Sequence, residues 1–174
     1  MEMIDRPGYL TQIQFQFEVH PVVAVLGPRQ CGKTTLAGMF GDSYAKSQPV
    51  IRFDLEDPTH LARLESPKLA LEGLHGLVVI DEVQRVPGLF EILRVLVDRR
   101  DNPARFLILG SASRELLRQS SETLAGRIGY IELTPFSVHE VGTDQTDHLW
   151  LAGGYPPSFL AKSDRAAAAW RKAY

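Results

Sequence analysis

Five short apolar segments, separated by stretches long enough for helices, dominate the sequence. They lie at 22–26, 50–53, 77–80, 105–109 and 128–133. Four of them are nearly continuous in Val, Ile, Leu and Phe, whereas a strand with one face in water alternates apolar and polar residues. A continuous apolar strand is covered on both faces, as in a parallel sheet between two layers of helices. The pattern therefore predicts an α/β three-layer sandwich with a five-stranded, mainly parallel sheet.

Helices are predicted between and after these strands. They are expected at 32–40, 59–72, 88–98, 112–124 and 164–174. In the third, apolar residues recur at the spacing of one helix face, at Leu89, Ile92, Leu93 and Leu96. We expect that face to pack on the sheet.

A polar, turn-like segment at 142–147 follows the last strand. We place a domain boundary there, which gives a first domain at 1–142 and a helical segment at 143–174. The helical pattern runs up to Tyr174 without the Gly, Asn or Pro that usually ends a helix. We therefore expect the helical segment to be the start of a truncated C-terminal region.

Charge and hydropathy argue against several classes of protein. The formal net charge of -2 gives no overall field that favours nucleic acid or an anionic membrane. No apolar segment approaches the roughly 20 residues that span a bilayer, and residues 1–8 lack the pattern of a secretion signal. The single cysteine, Cys31, cannot form a disulfide within the chain. These features predict a cytoplasmic globular protein, without a membrane partner and with no support from charge for a nucleic-acid partner.

The loop after the first strand carries a phosphate-binding pattern. Gly27, Gly32, Lys33 and Thr34 occupy the fixed positions of G-x-x-x-x-G-K-[ST], between a predicted strand and a predicted helix. The glycines let backbone N–H groups approach a phosphate, and the helix N-terminus adds the positive end of its dipole. We predict that a nucleoside triphosphate is bound by the consecutive residues Gly27, Pro28, Arg29, Gln30, Cys31, Gly32, Lys33, Thr34 and Thr35.

Two side chains of this loop have specific predicted roles. Lys33 is expected to bridge the β- and γ-phosphates. Thr34 is expected to offer its hydroxyl to Mg²⁺, which bridges the same phosphates and offsets their charge. Gln30 and Cys31 are interpreted as spacers that contribute backbone N–H groups, and a redox role for Cys31 is the alternative.

The third apolar segment ends in two acidic residues, Asp81 and Glu82. This is the Walker B pattern, in which Asp81 holds Mg²⁺ through a bound water and Glu82 polarises the attacking water as a general base. Taken alone, two acids after a strand could instead cap the next turn. GTPases usually carry Asp-x-x-Gly at this place, together with a guanine-reading Asn-Lys-x-Asp motif. The Asp-Glu pair therefore favours ATP over GTP.

The end of the fourth strand supplies a sensor candidate. In a sheet whose fourth strand lies between the first and the third, Ser111 would reach the γ-phosphate or the attacking water. The alternative is that Ser111 caps the helix predicted from 112, where serine is favoured, with Ser113 as the rival cap.

Other polar residues are interpreted as structural. Asp54, Glu56 and Asp57 follow the second strand without His or Cys at metal-ligand spacing, so they indicate a turn and a helix start. His139 and His148 are isolated in the sequence and are expected to be structural.

Several motifs, taken together, resemble one known family. They lie at 27–36, 80–84, 109–113, 124–127, 133–137 and 153–156. The resemblance is to prokaryotic AAA-type ATPases whose ATPase domain precedes a C-terminal domain of unknown function, related to restriction-type nucleases. It covers most of the chain, and its more specific parts are Leu-Ala-Gly-Arg and Leu-Thr-Pro-Phe-Ser. Departures occur at Cys31, Leu109 and Pro157, where the family usually has a small aliphatic residue, a threonine and an acid.

The resemblance implies a sheet order of 5-1-4-3-2 and a C-terminal domain, following Tyr174, as a partner in the full-length chain. It also draws attention to Arg127, which stands where ring-forming AAA-type enzymes carry an arginine finger for a neighbour's γ-phosphate. Such a finger implies a homo-oligomer. The alternatives for Arg127 are a surface salt bridge or a contact with the nucleotide of its own chain; Arg29 and Arg114 are weaker candidates.

Three functions are consistent with these residues. The first is a Mg²⁺-dependent ATPase that couples hydrolysis to movement of an attached domain or partner. The second is a nucleotide-dependent switch or scaffold with negligible hydrolysis. A small-molecule kinase is less favoured, because the sequence contains no recognisable acceptor-site or lid motif.

Overall fold

The computed structural model describes residues 4–86, 88–100 and 103–174, with the backbone alone at 114 and 115. All five predicted strands are present. They are β1 to β5, at Val22–Leu26, Val50–Asp54, Gly76–Asp81, Ala104–Gly110 and Ile128–Glu132. The strands form one sheet in the order β2-β3-β4-β1-β5, and every neighbouring pair is parallel. The predicted α/β class and strand order are confirmed.

The continuous apolar strands are explained by cores on both faces of the sheet. In β1, Val22 and Ala24 belong to one buried cluster, whereas Val23 and Val25 belong to the other. Successive side chains of a strand point to opposite faces, so a strand that is covered on both faces along its whole length, as β1 and β3 are, needs apolar residues at almost every position. Phe106 of β4 lies in the first cluster and is completely buried.

The helices are α1 to α10, at Pro7–Val19, Lys33–Tyr44, Pro58–Arg63, Pro67–Leu71, Leu89–Val97, Arg114–Thr123, Val138–Val141, Thr146–Ala152, Pro156–Phe159 and Asp164–Ala173. Short 3-10 turns occur at Val83–Arg85 and Thr143–Gln145. None of the helices in the described ranges is both long and apolar enough to cross a lipid bilayer.

Several helical features differ from the sequence-based expectation, among them the short helix α7, which was not predicted. The helix predicted at 59–72 is divided into α3 and α4, because Pro67 lacks an N–H group and restricts the residue before it. Helix α1 was not predicted. It begins with Pro7 at its first position and buries Ile13 and Phe17, which are spaced one helical turn apart.

The segment after β5 packs against the carboxyl edge of the sheet. The N–H of Phe136 donates to the backbone oxygen of Gly154 at 2.7 Å. The Phe136 ring lies edge-on to that of Phe159, with 5.7 Å between ring centres. Arg171 of α10 donates to the backbone oxygen of Ala152 at 2.8 Å. Helices α8 to α10 are therefore tied to one another and to the end of β5, and the domain boundary at 142 stays a prediction.

We predict that Gly154→Ala destabilises this packing, whereas Gly73→Ala is nearly neutral. A Cβ atom at position 154 would lie 2.3 Å from the backbone oxygen of Phe136, but one at position 73 would meet nothing within 4 Å. Because a backbone atom cannot move aside easily, we expect Gly154→Ala to lower the free energy of unfolding by about 1–3 kcal/mol. Urea denaturation checks this, and equal midpoints for the two variants would contradict it.

Candidate functional site

The loop between β1 and α2 needs glycine at both ends of its motif. A Cβ atom at Gly27 would lie 2.3 Å from the backbone oxygen of Leu133. Gly32 has φ of 100° and stands at the N-cap of α2, a left-handed conformation that glycine adopts without strain. Gln30 is also left-handed, with φ of 58°. The loop therefore has the tightly wrapped backbone that the sequence motif predicts.

Lys33 and Thr34 begin α2 and turn toward different partners. Lys33 is buried, and its Nζ donates to the backbone oxygens of Gly27 and Pro28 at 3.1 and 2.9 Å. These bonds use two of the three donors of the ammonium group. The hydroxyl of Thr34 donates to Oδ2 of Asp81 at 2.5 Å. The phosphate loop and the tip of β3, which are far apart in sequence, thus meet through their predicted functional side chains.

Asp81 is a buried carboxylate at the carboxyl end of β3. Burial raises its pKa, which the hydrogen bonds from Thr34 and from the N–H of Glu82 only partly oppose. The negative charges of Glu82 and Asp54 raise the pKa further. A cation beside this carboxylate would relieve the cost of burying its charge.

The side-chain oxygens of Thr34 and Asp81 are suitable ligands for Mg²⁺. Hydroxyl and carboxylate oxygens are the ligands that this hard cation prefers, and it usually binds with few protein ligands, completing its shell with phosphate oxygens and water. Thr34 and Asp81 supply such a pair. The described ranges contain no cluster of three or more His, Cys, Asp or Glu residues that could hold a metal without such help.

Glu82 has an unusual backbone conformation. Its φ of 55° and ψ of 47° lie in the left-handed region, which residues other than glycine seldom occupy and which is common at functional sites. The side-chain amide of Gln84 donates to the Glu82 carboxylate. Gln84 appeared in the sequence only as part of a family motif, and nothing in its local pattern indicated this contact.

A cleft of about 680 Å³ lies over the phosphate loop. One side is formed by Arg29, Gln30 and residues 32–35, and Glu82 also lines it. The other side includes Pro156 and Leu160 of the C-terminal helices, which sequence reasoning did not assign to the site. An apolar cavity of about 150 Å³ adjoins the loop and is lined in part by Met39 and Phe136.

Glu56 was interpreted as a turn residue, and it also lines the cleft. Its carboxylate lies 3.7 Å from the guanidinium of Arg29, and both side chains are exposed. The turn interpretation itself is confirmed, because Asp54 accepts from the N–H of Glu56 and Asp57 caps α3 by accepting from Thr59. The sequence feature that could have indicated a place for Glu56 at the cleft is that it is an acidic residue just after the carboxyl end of β2.

Ser111 follows the carboxyl end of β4, which runs between β1 and β3. It therefore lies at the same end of the sheet as the phosphate loop, as its predicted role requires. The helix cap is Ser113, whose side chain accepts from the N–H of Leu116 at 3.1 Å. The capping alternative for Ser111 is therefore wrong. Its hydroxyl makes no hydrogen bond to the described part of the chain, and Ser111 is not among the described residues that line the cleft.

Arg127 is not brought together with the other predicted site residues. Its backbone oxygen accepts from Val22 at the amino end of β1, whereas the phosphate loop follows the carboxyl end. The length of β1, at about 3.3 Å per residue, separates the two. The Arg127 guanidinium binds both carboxylate oxygens of Asp98, at 2.6 and 3.0 Å. A contact with the nucleotide of its own chain is thus excluded, and the salt-bridge alternative is present.

The remaining candidates have structural surroundings. Cys31 is fully buried, and burial raises the pKa of its thiol, which disfavours the reactive thiolate and the redox alternative. The His148 ring packs on Phe159 and bonds to its backbone oxygen at 2.8 Å, in agreement with a structural role. The side chain of Arg114 lies outside the described residues.

This strand order, with the phosphate loop after a strand that has β4 as its neighbour, defines a P-loop NTPase fold of the additional-strand type. Within that class, the chain belongs to the AAA domain family, which matches residues 19–142.

Two solved structures share the fold. The Walker-type ATPase of Pyrococcus abyssi has a TM-score of 0.63 at 16% sequence identity, with 97% of this chain and 71% of that chain covered. A RuvB variant from Thermotoga maritima has a TM-score of 0.52 at 22% identity, with 97% and 61% covered. At such identities the likeness concerns the fold alone.

One relative is much more similar to this chain in sequence than these two structures are. The uncharacterized protein Rv2008c of Mycobacterium tuberculosis is 51% identical over 172 residues, which make up 99% of this chain. The chain spans 38% of the length of the curated relatives it matches.

We predict that Asp81→Asn stabilises the nucleotide-free protein. The folded-state pKa of Asp81 is raised, so wild-type stability falls as the pH rises from the ordinary aspartate pKa of 3.8 through the raised value. The amide does not titrate. In thermal denaturation, the variant should be the more stable protein at neutral pH, and the difference should narrow as the pH is lowered.

Asp57→Asn is the matched control. Hydrogen bonds from Thr59 lower the pKa of Asp57, so its ionised form is favoured in the folded protein. Asparagine still caps a helix, and this variant should gain no stability at neutral pH. The burial argument would be contradicted by an Asp81→Asn protein that is less stable than the wild type at neutral pH.

Proposed function

We propose that the chain is a Mg²⁺-dependent ATPase domain that uses ATP hydrolysis to move an attached domain or partner. The observation that carries this proposal is the 2.5 Å hydrogen bond between Thr34 and Asp81. It joins the phosphate loop to an acidic strand tip, which is the juxtaposition that nucleotide-dependent phosphoryl chemistry requires.

In the proposed complex, backbone N–H groups of residues 27–35 bind the phosphates, and Lys33 exchanges its bonds to the loop carbonyls for phosphate oxygens. Thr34 and Asp81 are the residues that would hold Mg²⁺, whose positive charge would offset that of the phosphates. These groups stabilise the transition state mainly through fixed charge and position.

Hydrolysis is assigned to Glu82, which lines the cleft and accepts a hydrogen bond from Gln84. Its carboxylate would accept a proton from the attacking water. Ser111, with its hydroxyl unbonded within the described chain, is proposed to contact that water or the γ-phosphate.

The apolar cavity beside the loop supports ATP as the ligand. It adjoins Gly32 and Thr35 and is lined in part by Ile4, Met39 and Phe136. A flat, weakly hydrated base such as adenine gains from burial against apolar side chains. The phosphates and the base would therefore occupy neighbouring spaces, because Gly32 and Thr35 line both of them.

Coupling to a partner is supported by the far wall of the cleft. Pro156, Pro157 and Leu160 lie across from the loop and belong to the region of α9. Closure of the cleft around ATP would move this region, and with it the packed helix α10. We propose that a C-terminal domain of the full-length chain receives this movement.

A second candidate function is a nucleotide-dependent switch without significant hydrolysis. The position of Arg127 favours it for a single chain, because this arginine is at the opposite edge of the sheet from its own cleft. In a homo-oligomer, Arg127 could instead approach the site of a neighbouring copy.

We predict that Lys33→Ala abolishes ATP binding, whereas Glu82→Gln retains binding and loses turnover. Lys33 contributes charge to the phosphate site, but Glu82 is needed only for proton transfer, which is worth about 10²-fold or more in rate. Calorimetry with Mg²⁺ and ATP measures binding, and phosphate release measures turnover. Equal turnover by Glu82→Gln and wild type would remove Glu82 from the mechanism.

We predict that phosphate release rises more than proportionally with protein concentration. Arg127→Ala alone and Glu82→Gln alone should be inactive, and mixing them should restore activity, because the second supplies Arg127 to the intact site of the first. In the control mixture, the Arg127→Ala, Glu82→Gln double variant replaces the Glu82→Gln protein. It supplies no Arg127, so this mixture should stay inactive. Wild-type ATP binding without turnover at any concentration would favour the switch.

A further inference from the structure

Arg6, before the first helix, is a buried arginine with partners in three parts of the fold. Its side chain is 4% exposed. One guanidinium nitrogen donates to the backbone oxygen of Cys31 at 3.2 Å, and another donates to that of Thr134 at 2.9 Å. The Nε group binds the carboxylate of Glu140 at 2.5 Å.

Two aromatic rings also contact the guanidinium group of Arg6. The rings of Tyr9 and Phe136 lie 4.6 and 5.2 Å from the central carbon of Arg6. Contact with the aromatic rings stabilises the guanidinium group in addition to its hydrogen bonds. A planar guanidinium held in this way keeps its N–H groups pointing in fixed directions. Arg6 is therefore a rigid donor aimed at the phosphate loop.

The bond to Cys31 determines the direction of an N–H group in the loop. The oxygen of Cys31 and the N–H of Gly32 belong to one trans peptide unit, in which they point in opposite directions. When Arg6 holds the oxygen, the N–H of Gly32 points away from Arg6. Gly32 lines the nucleotide cleft, and its left-handed backbone allows other orientations of this peptide unless something fixes it.

Glu140 holds Arg6 in place from the segment after β5. Its other carboxylate oxygen accepts from the N–H and the hydroxyl of Ser137, which forms the capping box of α7. The bonds from Arg6 and Ser137 outweigh the effect of burial and lower the pKa of Glu140, so the carboxylate stays charged. The position of α7 is thereby transmitted through one side chain to the loop.

We propose that Arg6 is a positioning residue that presents the Gly32 N–H to the nucleotide phosphates, and that Glu140 sets Arg6 for this task. Displacement of α7 would release Arg6 and weaken phosphate binding without any change in the loop sequence. This inference rests on the proposed function for its ligand, but the arrangement itself is testable in the nucleotide-free protein.

Cys31 is a built-in probe for that test. It is the single cysteine of the chain, it is fully buried, and its own carbonyl is the acceptor for Arg6. The rate at which its thiol reacts with a labelling reagent under native conditions reports opening of the loop. Urea denaturation of the same proteins gives the contribution of global unfolding to labelling.

Two variants separate positioning from simple loss of stability. Arg6→Lys keeps the positive charge but cannot reach three acceptors at once. Glu140→Gln removes the ion pair, while glutamine can still complete the capping box. Arg52→Lys is the control, because Arg52 also donates to a carboxylate, Asp42, and to a backbone oxygen, that of Gly38, away from the loop.

We expect Arg6→Lys to accelerate Cys31 labelling and to raise the Kd for Mg²⁺-ATP, each by roughly tenfold, the usual worth of a hydrogen bond from a charged donor. Glu140→Gln should shift both in the same direction, and Arg52→Lys should shift neither. The change in labelling should exceed the change in the global unfolding equilibrium.

The inference is overturned if labelling follows global unfolding alone, or if Arg6→Lys binds Mg²⁺-ATP as tightly as the wild type. A wild-type protein that does not bind Mg²⁺-ATP would instead overturn the proposed function. In that case the labelling comparison still decides whether Arg6 fixes the loop.

Discussion

The hydrogen bond between Thr34 and Asp81 joins the start of α2, after the phosphate loop that follows β1, to the tip of β3, although β4 runs between these two strands. Two strand spacings amount to about 10 Å, so the loop and the strand tip must both reach over the end of β4. That end is Gly110, where a Cβ atom would lie 3.0 Å from the Gln84 side chain. A larger residue at this point would press on the side chain of Gln84, which binds the Glu82 carboxylate.

The same edge of the sheet collects features that do not favour a stable fold. Asp81 and Lys33 are buried charged groups, and Glu82 has a left-handed backbone. Buried charge and rare backbone conformations each lower stability unless other contacts compensate. Natural proteins retain such features mainly where function requires them, and here they surround one cleft. The buried cores on both faces of the sheet supply the stability that this edge lacks.

Local sequence patterns were sufficient for the strands and the phosphate loop, because continuous apolar runs and motif glycines act over a few residues. They were insufficient for the division at Pro67, since a single helix was predicted across this proline at 59–72. The contact of Arg6 with Glu140 spans 134 residues and has no local signature. The position of Arg127, in contrast, could have been predicted from the sequence. A residue that precedes a parallel strand lies at the amino end of the sheet, whereas the phosphate loop follows the carboxyl end of β1.

The central place of β1 has a consequence for synthesis of the chain. Both of its neighbours, β4 and β5, come much later in the sequence. During translation β1 therefore emerges with both edges unpaired, and apolar edges of this kind are prone to aggregate. The phosphate loop that follows β1 packs against Leu133, just after β5, so it gains this support only when β5 has left the ribosome. A chain interrupted earlier would carry the complete nucleotide motif and yet have no scaffold on which to hold it.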